Sequence, residues 1–580
     1  MVWTCPRLGY RYLPSTDDSV DDLLPGPWLV ALDPLMFLDA RRLPKNAVIQ
    51  ADVCIVGGGA AGITLAKELI GQPFRVCLLE SGGLSFHRAT QALYEGENVG
   101  LPYEPLDTCR ARYFGGSTNS WGGWSRPLAD IDFAVRDWVP YSGWPLSRAE
   151  LVPYYERAHQ FCQLGPFEYS PAFWECQIGA SDVSLLPFTG DRIVNGITEL
   201  GPPTQFGKVY RTELARAHNV SVYLYANALE IQTSPSAQLV THIRVGTLSG
   251  IRFSVAARVF VLAAGGIENA RLLLVSNSTV SSGLGNHNDL VGRFFMEHPR
   301  FLAGVVHLLH PERYLEYYDR EGNYRSRRLA AHGTSVAAHL SASENVQAEE
   351  GLLNHKMSVI PVYSGEESPA TDAFKRLYRA FWSRTFRRHS LPDRFIRELL
   401  EVATGLGDVV TMVYARLFRA RSLIRAYRLE TIVEPAPNPH SRLSLSTERD
   451  QLGLNRVRLD WRLDPLVTRT LRRVHQILDE ELRRAQLGRV DIQDPGDEGS
   501  PLSNRSWCWH HMGTTRMDPD PKRGVVDEHC RVHGIANLFI AGSSVFPTAG
   551  SDTPTVTIVA LAIRLADRLK TLLRTGILSA

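Results

Sequence analysis

The sequence predicts an α/β fold in two lobes. Three observations carry this expectation. A glycine cluster, Gly57-x-Gly59-x-x-Gly62, follows a short apolar run and opens a helical pattern. An acid, Glu80, closes the next apolar run. Similar pieces return at 220–275 and 537–573. The chain has 580 residues, long enough to bury a large core without staples. Its 44% hydrophobic and 21% charged content is that of a globular protein and excludes disordered, collagen-like or fibrous chains. Basic residues number 63 against 61 acidic, a net charge of +2, so no global field draws it to nucleic acid.

Residues 1–49 are Pro- and Asp-rich, weakly patterned, and read as a wrapping arm. Regular structure begins with Val53, Cys54, Ile55 and Val56, a strand. Ile63, Ala66, Leu69 and Ile70 then fall on one helical face. A second strand runs from Arg75 to Leu79. Residues 110–126 are dense in Gly, Ser, Asn and Trp and predict a structured loop. A helix over 144–164 is announced by a capping box from Ser147 to Glu150. Three strands are predicted within 220–262, then a glycine turn into a helix. Residues 300–500 mix strands with Arg-heavy helical stretches at 371–428, read as a solvated face, with an acidic partner or a membrane headgroup layer as the sharper alternative. A strand over 537–547 precedes a helix that starts near Pro554.

The eight cysteines are scattered, none with Cys-x-x-Cys spacing, which predicts neither a disulfide framework nor a metal site. Cys54 and Cys77 lie in apolar runs and read as buried thiols. No secretory signal and no apolar stretch of membrane-spanning length is seen, so a reducing cytoplasm is the expected location.

Each glycine of the cluster has a physical task. Gly57 allows a tight turn, Gly59 lets backbone approach a pyrophosphate, and Gly62 lets helix pack on strand. The helix N-terminus offers free N–H groups to phosphate. Glu80, 18 residues beyond Gly62, is placed to accept ribose hydroxyls, which argues against a 2′-phosphate and hence against NADP. The fingerprint does not separate NAD from FAD. The returning pieces favour a long cofactor.

Seven ordered blocks carry a further reading: ADVCIVGGGAAGITLAKEL, FGGSTNSWGG, AAGGIENARLLL, VGRFFMEHP, PNPHSRLSLS, HHMGTTRM and AGSSVFPTAGSDTPTVTIVALAIRLAD. With these the sequence resembles the glucose–methanol–choline oxidoreductase family over about 45–300 and 430–575, closest to the branch of bacterial gluconate and fructose dehydrogenase flavin subunits and pyranose oxidases. The resemblance implies a discontinuous Rossmann-like FAD-binding domain and an α+β substrate-binding domain with an antiparallel sheet. It implies FAD-binding pieces at 50–130, 201–300 and 501–580, the last with the catalytic histidine, and substrate-binding pieces at 131–200 and 301–500. FAD would lie against Gly57, Gly59, Ala60, Ala61, Gly62 and Glu80. The loop Gly115, Gly116, Ser117, Thr118, Asn119 and Trp121 would cover the pyrophosphate and the flavin edge. Ala228 would meet the adenine, with Ala264 nearby, while Ala541 and Gly542 approach the ribityl chain. Pro554 and Thr555 would point a helix N-terminus at the flavin. Pyranose oxidases attach their flavin through a histidine in the loop. Ser120 stands there in this chain, so the FAD is expected to be non-covalent.

The implied reaction is hydride transfer from an alcohol carbon to flavin N5, with His510 as general base and His511 as the runner-up. The family places His or Asn just before the proline. Thr553 stands there in this chain and is read as a hydrogen-bond donor. Asp552 beside it is an alternative, although its fixed negative charge is unfavourable near an alkoxide. The implied substrate is a hydroxylated small molecule, sugar-like or polyol, a class that takes in aminosugar and glycosylated metabolites of antibiotic pathways. The acceptor would be O2 or a cytochrome or quinone partner. Other classes open to this fold are an FAD-containing lyase and a non-catalytic FAD scaffold. The sequence carries no signal of oligomeric state.

Overall fold

Short runs of β-branched and aliphatic residues form the sheet on which the glycine cluster stands. In a computed structural model, Val53–Val56, Val76–Leu79 and Val259–Leu262 are buried along their whole length, as strands covered on both faces must be. The structure describes residues 36–188, 190–323, 328–382, 395–418, 420–492 and 505–576. The six-stranded sheet has the order Phe37–Asp39, Val220–Leu224, Val76–Leu79, Val53–Val56, Val259–Leu262 and Leu538–Ile540, all parallel. Three stretches of chain far apart in sequence thus build one sheet. Cys54 and Cys77 are buried and face each other in register. Helices Ala60–Glu68 and Thr555–Thr575 pack together over it, the second also against Arg148–Cys162. Ser147 caps that last helix, its hydroxyl accepting from the Glu150 N–H while Glu150 accepts from the Ser147 N–H.

A four-stranded sheet, Val48–Gln50, Arg252–Ala256, Val240–Gly246 and Asn227–Thr233, lies beside the parallel one. The expected arm therefore ends in structure. Phe37–Asp39 and Val48–Gln50 each add a parallel edge strand, because each exposes backbone that a neighbouring edge can pair. The first 35 residues of the arm lie outside the described residues.

The second lobe is an antiparallel sheet. Its main path runs Gly488–Asp491, Pro299–Leu308, Ile424–Val433, His355–Tyr363, Thr334–Ala342, Ile193–Leu200 and Trp124–Ser125. One face packs on helix Pro465–Arg484 through Val474, Ile477, Leu478 and Leu482. The other looks toward the parallel sheet and bears polar side chains at alternate positions, Lys356 and Ser358 among them. The expected helical stretch at 371–428 forms helices Pro369–Trp382, Phe395–Thr404 and Leu406–Phe418 but ends sooner. Residues 424–428 are strand, held by pairing with His355–Tyr363. Residues 383–394 of this stretch lie outside the described residues. Salt bridges Arg376–Glu398 and Arg397–Glu401 do lace the face.

Candidate active site

The chain leaves Val53–Val56 and turns at Gly57, whose φ is +111°. A Cβ there would stand 2.5 Å from the Ala263 carbonyl oxygen, and one at Gly62 would stand 1.9 Å from the Gly57 oxygen. These two glycines let helix and strands close on each other. Gly59 differs, since a Cβ there would meet nothing within 4 Å. It caps helix Ala60–Glu68 with no side chain on the helix N–H groups. The opening faces a cavity of about 430 Å³ between the two sheets.

Glu80 lies buried at the end of the second strand and lines the same cavity. Its carboxylate accepts from the Gly58 N–H at 2.9 Å and the Gly82 N–H at 2.7 Å. Burial pushes its pKa up, against those two N–H groups and the Arg112 charge. From the far side, Gly542 meets the cavity at φ +117°, again with open space where a Cβ would point. Helix Thr555–Thr575 starts beside it from Pro554, also without a side-chain cap.

Most residues expected at the cofactor converge here. Gly57, Gly59, Ala60, Ala61, Glu80, Gly116, Ser117, Thr118, Trp121, Ala228, Ala264, Gly542, Pro554 and Thr555 all line the cavity. Four do not. Gly62 packs on Gly57. Gly115 is the left-handed residue before the short 3-10 turn Gly116–Asn119. Asn119 turns its amide inward to donate to the Phe114 carbonyl at 3.0 Å. Ala541 stands behind Gly542, its N–H bonded to the Leu262 carbonyl. The lining suits an extended dinucleotide. It has two uncapped helix N-termini for negative charge, glycine faces for close approach, and one buried carboxylate with lone pairs left for hydroxyl donors.

The other end of the cavity carries His510, His511 and Thr553. His510 Nδ1 lies 2.8 Å from His298 Nδ1, and His298 Nε2 lies 2.7 Å from the Gly550 carbonyl oxygen. A carbonyl only accepts, so His298 carries its proton on Nε2 and presents a lone pair at Nδ1. His510 must then donate from Nδ1, which leaves its Nε2 bare. Burial drives the His510 pKa well below the usual histidine value, helped by His298 and Lys356, and that of His298 down to about 4. Both rings are therefore neutral near pH 7.

Glu297, wholly buried, ties the two neighbouring histidines to one carboxylate. It accepts from the His510 backbone N–H at 2.9 Å and from the Tyr103 hydroxyl at 2.6 Å. Tyr103 in turn lies 2.8 Å from His511 Nε2. Tyr103 spends its proton on Glu297, so His511 donates from Nε2, which ties His511 to Tyr103 while His510 is tied to His298. Burial pushes Glu297 up to about 7 against these hydrogen bonds.

Thr553 departs from the expected role. Its hydroxyl donates to the Trp124 carbonyl at 2.7 Å, so its one proton is already spent. Asp552 is turned away as well, held by Lys356 at 3.1 Å and Arg126 at 3.4 Å, and it does not line the cavity. The group beside His510 is instead His298. The sequence offered a signal for it, since Glu297 and His298 stand in the VGRFFMEHP block. Tyr103, His339, Lys356, Arg300 and Arg320 also line or support this end. They are scattered over loops and strands with no local pattern.

Comparison with known proteins bears on the family and the fold. The model of a family described as GMC oxidoreductase matches residues 437–562. The chain is 27% identical to 6'''-hydroxyparomomycin C oxidase of Streptomyces lividus, over 90% of this chain and 91% of that one. It is 23% identical to the fructose dehydrogenase large subunit of Gluconobacter japonicus, over 92% of this chain and all of that one. Among solved structures, formate oxidase of Aspergillus oryzae RIB40 aligns with 93% of this chain and all of its own at a TM-score of 0.52 and 15% identity. Pyridoxine 4-oxidase from Mesorbium loti aligns with 89% of this chain and 98% of its own at 0.50 and 18%. These two likenesses speak for the fold.

Proposed function

Because the chain belongs to the glucose–methanol–choline oxidoreductase family, we propose that it oxidises a hydroxyl of a sugar-like or polyol substrate, with FAD in the cavity and His510 as general base. Several relatives are named for work on hydroxyl compounds, among them a fructose dehydrogenase, a 2-methyl-1,2-propanediol dehydrogenase and paromamine 6'-oxidase. In this reading 50–130, 201–300 and 501–580 hold the cofactor, and 131–200 and 301–500 hold the substrate.

When bound, FAD supplies a two-electron acceptor for the hydride leaving the CH–OH carbon. The residues of this chain do the rest. Gly59, Ala60 and Ala61 offer backbone N–H groups to the pyrophosphate, and Glu80 accepts from the ribose. Pro554 and Thr555 open a helix whose positive end favours electron density near it. Ser120 stands where pyranose oxidases use a histidine for attachment, so FAD is held without a covalent bond. Acid precipitation is expected to release the yellow colour into the supernatant, and colour left in the pellet would refute this.

The substrate hydroxyl gives its proton to His510 Nε2 as its carbon gives up the hydride, leaving a carbonyl product. The observation that carries this reading is the chain Gly550 carbonyl, His298, His510, which leaves one bare imidazole nitrogen facing the cavity. Thr553, with its proton engaged, has only lone pairs left and serves to shape the wall. General-base removal typically costs 10²–10⁴-fold. H510A is therefore expected to slow flavin bleaching by about that factor when substrate and holoenzyme are mixed without oxygen. Bleaching at a near wild-type rate would end the assignment. An oxygen electrode during turnover then separates an oxidase from a dehydrogenase that needs a redox partner.

A further inference from the structure

The substrate end of the cavity has a charge of its own. Lys356, Arg320 and Arg300 line it beside His510, His339 and Ser358. Their counter-ions stand behind them. Asp552 and Glu430 are each 3% exposed and neither lines the cavity. Each of these carboxylates is shared between two cations. Asp552 meets Lys356 at 3.1 Å and Arg126 at 3.4 Å. Glu430 meets Arg320 at 2.8 Å and Arg300 at 3.6 Å, and also accepts from the Ser358 hydroxyl. The neutral histidines add no charge of either sign. Two of the three other acidic lining residues belong to the opposite side. Glu80 and Glu268 face the dinucleotide end, where Arg110 and Arg112 pair with Glu268. Glu104 follows Tyr103, the partner of His511, and acts with Arg110 and Glu297 on the Cys109 thiol, so it stands between the two ends. The surface that meets the substrate is therefore positive, with donor groups forward and acceptors behind.

We infer that the substrate is a hydroxylated carboxylate, held through its anionic end by Lys356 and Arg320 while a hydroxyl sits at His510. This rests on the proposed function and narrows it. A cationic aminosugar would leave its ammonium groups facing Lys356 and Arg320, desolvated and repelled. A neutral polyol would add no negative charge to the four cations, Lys356, Arg126, Arg320 and Arg300, that share the two carboxylates Asp552 and Glu430. Arg320 also stands over the Trp124 ring, 5.3 Å from its centroid, which fixes its guanidinium toward the cavity wall.

The test uses three six-carbon probes that differ only at one terminus: D-gluconate, D-glucitol and 1-amino-1-deoxy-D-glucitol. Each is titrated into oxidised holoenzyme without oxygen. The perturbation of the flavin spectrum reports binding, and bleaching reports turnover. Gluconate is expected to bind at least about tenfold more tightly than glucitol. The aminated probe is expected to bind more weakly than glucitol. K356Q and R320Q should each shrink the gluconate-to-glucitol ratio, and added salt should do the same. Should either variant fail to hold flavin, the ranking by the unaltered holoenzyme still decides. Equal binding of gluconate and glucitol, preference for the aminated probe, or no binding of any probe would overturn the inference. Failure of the proposed function looks different, with no bleaching by any hydroxyl compound across a wide panel whatever the binding order.

Discussion

At the residue scale the decisive feature is a fixed proton. His510 is a useful base only if its cavity-facing nitrogen is bare, and no property of His510 alone ensures that. His298 does so, because its own proton is pinned to the Gly550 carbonyl at 2.7 Å. In the proposed reaction His298 is thus a positioning residue. Replacing it with alanine is expected to slow anaerobic flavin reduction by about tenfold to a hundredfold, part of a general base's worth. The pH profile distinguishes this from mere loss of structure. His510 is held well below its ordinary pKa, first by burial and then by His298. With His298 intact, reduction should stay flat as pH falls from 7 through 6, since the folded enzyme keeps the imidazole neutral there. In H298A, water enters the vacated space, the His510 pKa climbs toward 6.5, and the acid limb moves up with it. A profile displaced downward in rate but unmoved along pH would sink the positioning role. That His510 stands at the cavity was legible in the sequence through its His-x-x-Gly-Thr-Thr-Arg-Met setting. The misread residue was Thr553. Its neighbour Pro554 marks the helix start correctly, but a hydroxyl's partner depends on the loop at Trp124, more than four hundred residues away in sequence.

At the scale of elements, local chemistry decides what can be read. Helix Arg148–Cys162 was visible because both halves of its capping box lie within four residues. Val53–Val56, Val76–Leu79 and Val259–Leu262 were visible as uninterrupted apolar runs. Strands half-exposed on an antiparallel sheet were harder. Asn227–Thr233 and Arg442–Arg449 mix polar with apolar residues and owe their state to partners. Helix Pro465–Arg484 could have been read, since Asp464 caps it and Pro465 occupies its first position. The expected strand at 537–547 is only Leu538–Ile540, because Gly542 at φ +117° breaks the extended backbone and begins the cavity wall. The same break gives the site its open glycine face. The polar face of the antiparallel sheet, which brings Lys356, Ser358 and His339 into the cavity, is set by strand register. No single segment of sequence states it.

At the scale of the whole molecule, one active site is set among many buried ionisable groups, and together they fix the pH at which the fold is firmest. Among the described residues seven cavity or core histidines are held neutral by burial, His159 among them. His298 and His355 fall to about 4, His475 and His511 to about 3, and His339 and His510 well below the ordinary value. As pH drops below about 6.5, the unfolded chain takes up protons that the folded one refuses, so each histidine costs stability on the way down. Carboxyls that burial raises act in the opposite sense, Glu80 and Glu104 among them. Burial raises Glu297 and Asp132 to about 7 and Glu199 to about 8. Their contribution is full below the ordinary carboxylate range and is lost as pH rises toward 7–8. Between about pH 6.5 and 4.5 the histidines outnumber the carboxyls. The imbalance is worth ~1.4 kcal/mol per pH unit for each unmatched proton. Above about pH 6.5 the raised carboxyls still titrate, and the stability they contribute falls with rising pH. The thermal midpoint of the holoenzyme should therefore peak near pH 6.5 and drop steeply toward pH 5, more gently toward pH 8. A midpoint that climbs steadily from pH 6.5 down to pH 5 would show that these histidines are not held neutral. It would also remove the ground for a bare His510 nitrogen, because the electrostatics that stabilise the fold and those that ready the base are the same.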